Sequence, residues 1–188
     1  MKKYIIQSIR LTLVLIVLLC IIYPLSIALA GRMSKGNGGG EKITKNGKVV
    51  GYALLGQSFT NPEYFWGRPS AVGYNAAGSG GSNKGPANED YLKTVSERID
   101  TLLKYNPTIK KADIPADMVT ASGSGIDPNI SEQGAIIQIK RIAAARRIDE
   151  RKIAELVVEN TDGPFLGMFG PTSINVLKLN TALDKFNK

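Results

Sequence analysis

Leu11 to Ala30 is a run of 20 residues without a single charge. At a rise of about 1.5 Å per residue, a helix over it spans about 30 Å, the thickness of a bilayer's hydrocarbon core. Lys2, Lys3 and Arg10 precede the run, Arg32 and Lys35 follow it, and Tyr23 suits a membrane interface. Pro24 removes one helical hydrogen bond, which a kink or a neighbouring helix accommodates. The rival reading is a cleaved secretory signal, with a basic start and the small-x-small site Ala28-Leu29-Ala30. The run exceeds the roughly 7–15 apolar residues of such signals, which favours a retained anchor. Charge alone does not orient it, because Arg32, Lys35, Lys42, Lys45 and Lys48 crowd its far side.

The apolar run divides the chain. Residues 1–10 are a short tail, 11–30 the transmembrane helix, 31–40 a linker containing SKGNGGG, and 41–188 a soluble domain. A domain of that length buries roughly 70% of its unfolded surface, enough for its own core. The net charge is +8, and only Lys2, Lys3 and Arg10 stand before the linker, so the domain is mildly basic. An anionic bilayer surface accounts for this as well as nucleic acid would, and no nucleic-acid partner is expected.

Catalytic chemistry is narrowed by two counts. The chain has no His and one Cys. Ser-His-Asp and Cys-His catalysis are thereby excluded, as are a structural zinc site and an internal disulfide. Asp113, Asp117 and Asp127 are scattered among Pro and Gly, as turn and cap residues are. No catalytic or metal-ligating residue is expected.

Periodicity predicts an α+β domain. Asn46-Gly47 joins Lys42–Lys45 to 48–55 as a hairpin. Residues 60–86 form a long loop rich in Gly, Ser, Asn and Pro. Asn88 opens a helix with Leu92, Val95, Ile99, Leu102 and Leu103 inward, and Asn106-Pro107 ends it. A short strand is expected at 118–121. Ser131 caps a helix facing inward through Ala135, Ile136, Ile139, Ile142 and Ala143, and Asp149 caps another through Ile153, Leu156 and Val157. Short strands are expected at 165–169 and 174–177, and Asn180 is expected to cap a last helix. Strands and helices alternate without a regular βαβ beat.

Three clusters invite a functional reading. Ser79, Gly80, Gly81, Ser82 and Asn83, and again Ser122, Gly123, Ser124 and Gly125, are Gly-rich loops whose amides form either plain turns or anion-binding nests. Neither carries the Lys-Ser/Thr ending of a P-loop. Tyr64, Phe65 and Trp66 lie beside Arg68, composing either a partner-contact loop or a small core that pins the long loop. Lys140, Arg141, Arg146, Arg147, Arg151 and Lys152 read as a solvated helix face.

Six stretches in register resemble a known family. They are Leu55-Gly56-Gln57-Ser58-Phe59, 64–71, 79–83, 119–128, 138–146 and 175–180, all behind an N-terminal anchor. Together they resemble the C chain of the Kdp-type potassium-transporting ATPase over nearly the whole length, with Lys84 and Ala87 as departures. The resemblance implies a non-catalytic accessory subunit of an ATP-driven potassium uptake system in a bacterial cytoplasmic membrane. Its implied partners are a channel-like potassium-translocating subunit, a P-type ATP-hydrolysing subunit and the bilayer. It also implies assembly of the complex and a catalytic-chaperone effect that raises ATP affinity. Gln57, Tyr64, Phe65, Trp66 and Arg68 are the expected partner contacts. The implied topology sets the N-terminus inside and the soluble domain outside, whereas ATP is inside. No cofactor is therefore expected on this chain; ATP and potassium are handled by the complex, and any effect on ATP passes through the membrane subunits. The alternative is an anchored periplasmic ligand- or nucleotide-binding module that uses the Ser/Gly loops.

Overall fold

The computed structural model describes residues 2–187; Met1 and Lys188, which end the first and last segments named above, lie outside them. Two compact units divide between Lys42 and Ile43.

The first unit is a continuous helix followed by turns. Its parts are α1 (Lys2–Ile16), a π-helical stretch (Val17–Ile22) and α2 (Tyr23–Gly31). Residues 2–10 are thus already helical. Pro24 has no N–H to give to the carbonyl four residues back, and its ring crowds that carbonyl. The wider π turn, closed by Tyr23 N–H donating to Leu18 O, absorbs the mismatch without breaking the rod. Ser26 Oγ donates to Ile22 O at 2.8 Å, so its hydroxyl is satisfied inside the helix. From Lys3 to Gly31 the helix is long and apolar enough to cross a membrane.

At the start of the second unit, β1 (Lys42–Lys45, its first residue at the boundary) and β2 (Lys48–Tyr52) form the expected hairpin. Asn46 and Gly47 both take positive φ, 52° and 76°, as a tight primed turn requires. α3 (Glu89–Tyr105) begins where Asn88 Oδ1 accepts from Tyr91 N–H, and Asn106 closes it. A three-stranded antiparallel sheet runs β3 (Asn129–Ile130), β5 (Ser173–Asn175), β4 (Thr161–Asp162), with Ile174 central between Ile130 and Thr161. α4 (Glu132–Ile136) and α7 (Val176–Leu183) pack against β5, α6 (Glu150–Glu159) packs against both of them, and α5 (Ile139–Arg146) packs against α6. Ser131 and Asp149 cap α4 and α6 as their sequence positions indicate. Phe65, Ile130, Ile142, Ile153, Ile174, Leu179 and Leu183 form the fully buried centre.

Several expectations fail locally. Residues 118–121 are not a strand: Ala116–Met118 is a 3-10 turn, and Val119 and Thr120 amides return to Ala116 O. The single helix expected after Ser131 is broken at Gln138, which rotates Ile137 inward and leaves Ile136 exposed. Leu92 lies outside the core. Residues 165–169 are an exposed turn closed by one bridge, Phe165 to Phe169, not a strand. At the C-terminus β5 stops at Asn175, whose Oδ1 accepts from Lys178 N–H and starts α7. Asn180 is consequently no cap; it lies buried in the middle of that helix.

Candidate functional site

The long loop is gripped from inside by three polar side chains of the core. Phe65 is wholly buried, and Asn180 serves its backbone as a strand partner would. Phe65 N–H donates to Asn180 Oδ1 and Asn180 Nδ2 donates to Phe65 O, each at 2.9 Å. Gln138 repeats the device one residue on. Trp66 N–H donates to Gln138 Oε1 at 2.8 Å, and Gln138 Nε2 donates to Trp66 O at 3.3 Å. Arg141 donates through Nη2 to Gln138 Oε1 at 2.6 Å, through Nε to Asn106 Oδ1 at 3.2 Å and through Nη1 to Pro62 O at 2.5 Å. Its guanidinium lies 4.2 Å over the Trp66 ring, whose edge meets Tyr105. Burial pulls the Arg141 pKa down to about 10, so it stays charged at neutral pH.

Asp184, just beyond α7, gathers the second anchor. Tyr64 Oη donates to it at 3.0 Å, Arg146 Nη2 at 2.9 Å and Lys45 Nζ at 2.5 Å. Arg146 also stacks 4.6 Å from the Tyr64 ring and donates to Glu63 O at 2.8 Å. Burial by itself would raise the Asp184 pKa. The hydrogen bonds from Lys45, Arg146 and Tyr64, with the Lys45 charge, outweigh it and hold the carboxyl below the ordinary range. One carboxylate thus ties the first hairpin, the aromatic loop and α5 together.

The two Ser/Gly loops are neighbours. Gly80 N–H donates to Ser124 O at 2.8 Å, and a Cβ on Gly81 would stand 3.1 Å from Gly123 O. Ser70 Oγ donates to Gly125 O at 2.6 Å while accepting from Tyr74 N–H at 2.8 Å. Arg68 pairs with Asp127 at 2.9 Å beside them, and its buried Nε has no hydrogen-bond partner. Gln57 Nε2 donates to Val50 O at 3.0 Å, fastening the loop's start to β2. The loops therefore brace one another through their backbones. A cavity of about 400 Å³ opens nearby, lined by Phe59, Trp66, Tyr74, Arg98, Tyr105 and Met118 among others. Among the described residues, no group of three or more His, Cys, Asp or Glu could hold a metal ion.

The stretches so arranged, from the first helix to Asp184, fall within one family model. That of the K+-transporting ATPase, c chain, matches residues 5–185. The chain belongs to the KdpC family. It is 55% identical to the potassium-transporting ATPase KdpC subunit of Flavobacterium johnsoniae, over 97% of this chain and 98% of that one. The subunit of the same name from Bacteroides fragilis is 47% identical over 97% of each chain. That of Caldanaerobacter subterraneus is 44% identical over 94% of this chain and 92% of its own. As a KdpC-family member the chain is a subunit of a potassium-transporting ATPase.

The expected contact residues divide in the structure. Phe65 is core; Tyr64, Trp66, Arg68 and Gln57 are half-buried and bonded within the domain. Residues not singled out for the site by sequence reasoning, Gln138, Asn180 and Asp184, hold this loop in place. Arg141 and Arg146, read as a solvated face, turn inward, with Arg141 8% exposed and the Arg146 side chain 3%. The signal for Arg141 was its spacing: it lies three residues after Gln138 on the stripe that includes Ile142.

Proposed function

We propose that the chain is a single-pass, non-catalytic accessory subunit that assembles and stabilises an ATP-driven potassium uptake complex. Its helix from Lys3 to Gly31 anchors it in the bacterial cytoplasmic membrane, N-terminus inside, with the second unit outside. There it meets the channel-like potassium-translocating subunit and the P-type ATP-hydrolysing subunit. It raises the ATP affinity of the latter by favouring one state of the membrane subunits, since coupling between distant sites requires only a state that both ends bias. The carrying observation is the end-to-end family match, which includes the apolar helix. The mutual bracing of the Ser/Gly loops supports a scaffold role for them over a nucleotide nest.

The test is purification from mild detergent through a tag on this chain, followed by ATPase assays at graded ATP with and without it. The chain should co-elute with two larger subunits, and its removal should raise the ATP concentration for half-maximal rate. Elution alone would defeat the assembly role, and an unchanged ATP dependence would defeat the chaperone role.

A further inference from the structure

The stretch Phe165-Leu166-Gly167-Met168-Phe169 joins β4 to β5, and none of the described residues covers it. Phe165 is 71% exposed, Leu166 73%, Met168 76% and Phe169 60%. Together they present apolar surface on the order of 500 Å², as large as the biggest patch on an ordinary monomer. The turn is tightly built. Phe165 N–H donates to Phe169 O at 2.8 Å, Phe169 N–H to Phe165 O at 2.9 Å, and Gly167 N–H to Pro164 O at 2.9 Å. Leu166 is held at φ 53°, a left-handed conformation that disfavours a branched side chain. The chain thus accepts backbone strain to set four large apolar groups on a knuckle whose own backbone is hydrogen-bonded. Four of its five amides are bonded within the turn, so such a knuckle strands few N–H groups in an apolar recess.

The charges that flank the knuckle along the chain select the occupant. Between Lys152 and Lys178 there is no basic residue, whereas Glu155, Glu159 and Asp162 precede the knuckle. Glu159 and Asp162 are exposed. Lipid-binding segments carry bases that meet anionic headgroups, and acids there repel. A symmetric contact with a second copy would set these acids against themselves. Aromatic and Met side chains at the centre with charge at the edge are the make-up of a protein interface. We infer that this knuckle docks into an apolar recess with a basic rim on a larger subunit of the same transporter. This rests on the subunit reading above and adds to it the surface through which the second unit engages.

The experiment uses the full chain expressed with its transporter. A photoreactive benzoylphenylalanine replaces Met168, and the irradiated membranes are resolved for adducts. In parallel, the double variant Phe165→Ser, Met168→Ser is purified through its tag. An adduct with a larger subunit is expected, together with a more than tenfold fall in recovery of that subunit with the double variant. The thermal unfolding of the double variant should match the wild type, which separates lost docking from lost folding. An adduct with lipid or with a second copy overturns the proposal, as does unchanged recovery. A wild-type chain that elutes alone overturns the subunit reading and this one with it. A wild-type complex indifferent to the two serines overturns only this one.

Discussion

Replacing Asn180 by Ala should be among the most damaging single changes in the second unit. Its amide makes two hydrogen bonds to the Phe65 backbone, and both residues are buried, at 2% and 0% exposure. Truncation strands a buried N–H and a buried carbonyl, each costing about 1–3 kcal/mol. The void left by the missing amide adds a little more, giving a loss of about 4 kcal/mol. At about 2–4 °C per kcal/mol for a chain of this size, the unfolding midpoint should fall by about 8–16 °C. The assay is thermal unfolding of the full chain in detergent, followed by the fluorescence of Trp66, which adjoins the bonded residue. Asn180→Asp gives a sharper check. It keeps the acceptor for Phe65 N–H but points an anionic oxygen at Phe65 O. Protonation turns that oxygen into a donor, so the deficit of this variant should shrink between pH 7 and pH 5. A fall of less than about 3 °C for Asn180→Ala, or no pH-dependent recovery for Asn180→Asp, would refute the clamp.

Asp184→Asn should flatten acid denaturation. The folded carboxyl is held below its ordinary value of about 3.9, so its contribution is complete above that value and is lost as pH falls through the lowered folded pKa. Midpoints measured from pH 5 down to pH 2 should therefore drop less steeply in the variant, and parallel curves would remove Asp184 from the account. Gly125→Ala should destabilise by about 2 kcal/mol or more, because φ is +68° and the new Cβ would stand 2.5 Å from Val72 Cγ2 and 2.6 Å from Gly80 O. Gly123→Ala, facing open space, should stay within about 0.5 kcal/mol; equal effects in urea titration would contradict the bracing of the two loops. A Cys placed at Ser34 should react with an impermeant maleimide when only the outer layer of the cell is opened; labelling that waits for rupture of the inner membrane would reverse the topology.

Local signals proved readable where one short stretch decides the outcome. Asn46-Gly47 sets its hairpin, and Asn88, Ser131 and Asp149 cap helices from their own side chains. Residues 174–177 misled because a short apolar run suits a strand and a helix alike, and only the pairing of Ile174 with Ile130 and Thr161 divides it. The six bases at 140–152 look equivalent as a charge run, yet Arg141 and Arg146 find acceptors on a loop about 80 residues earlier. Burial of a charge is decided by such distant partners, which periodicity does not register. The same holds for Asn180, a cap by composition and a clamp by its neighbours. The apolar content of Phe165–Phe169 suits a strand, while Gly167 and Gly170 at positive φ bend it into a turn that no described strand covers.

The grip on the aromatic loop also sets a timetable for synthesis. Phe65 is held by a residue 115 positions later, Trp66 by one 72 later, and Tyr64 by one 120 later. At roughly 5–20 residues per second, the ribosome needs on the order of ten seconds to pass from Phe65 to Asn180. Gln138 arrives part-way through that interval, but Phe65 waits for Asn180 and Tyr64 for Asp184. The loop is fully closed only once α7 and Asp184 have been made, and pairings this remote in sequence are slow to form. A nascent chain halted before Asn180 would carry an aromatic segment without its clamp behind a finished apolar helix. The final helix therefore marks a finished subunit from an unfinished one.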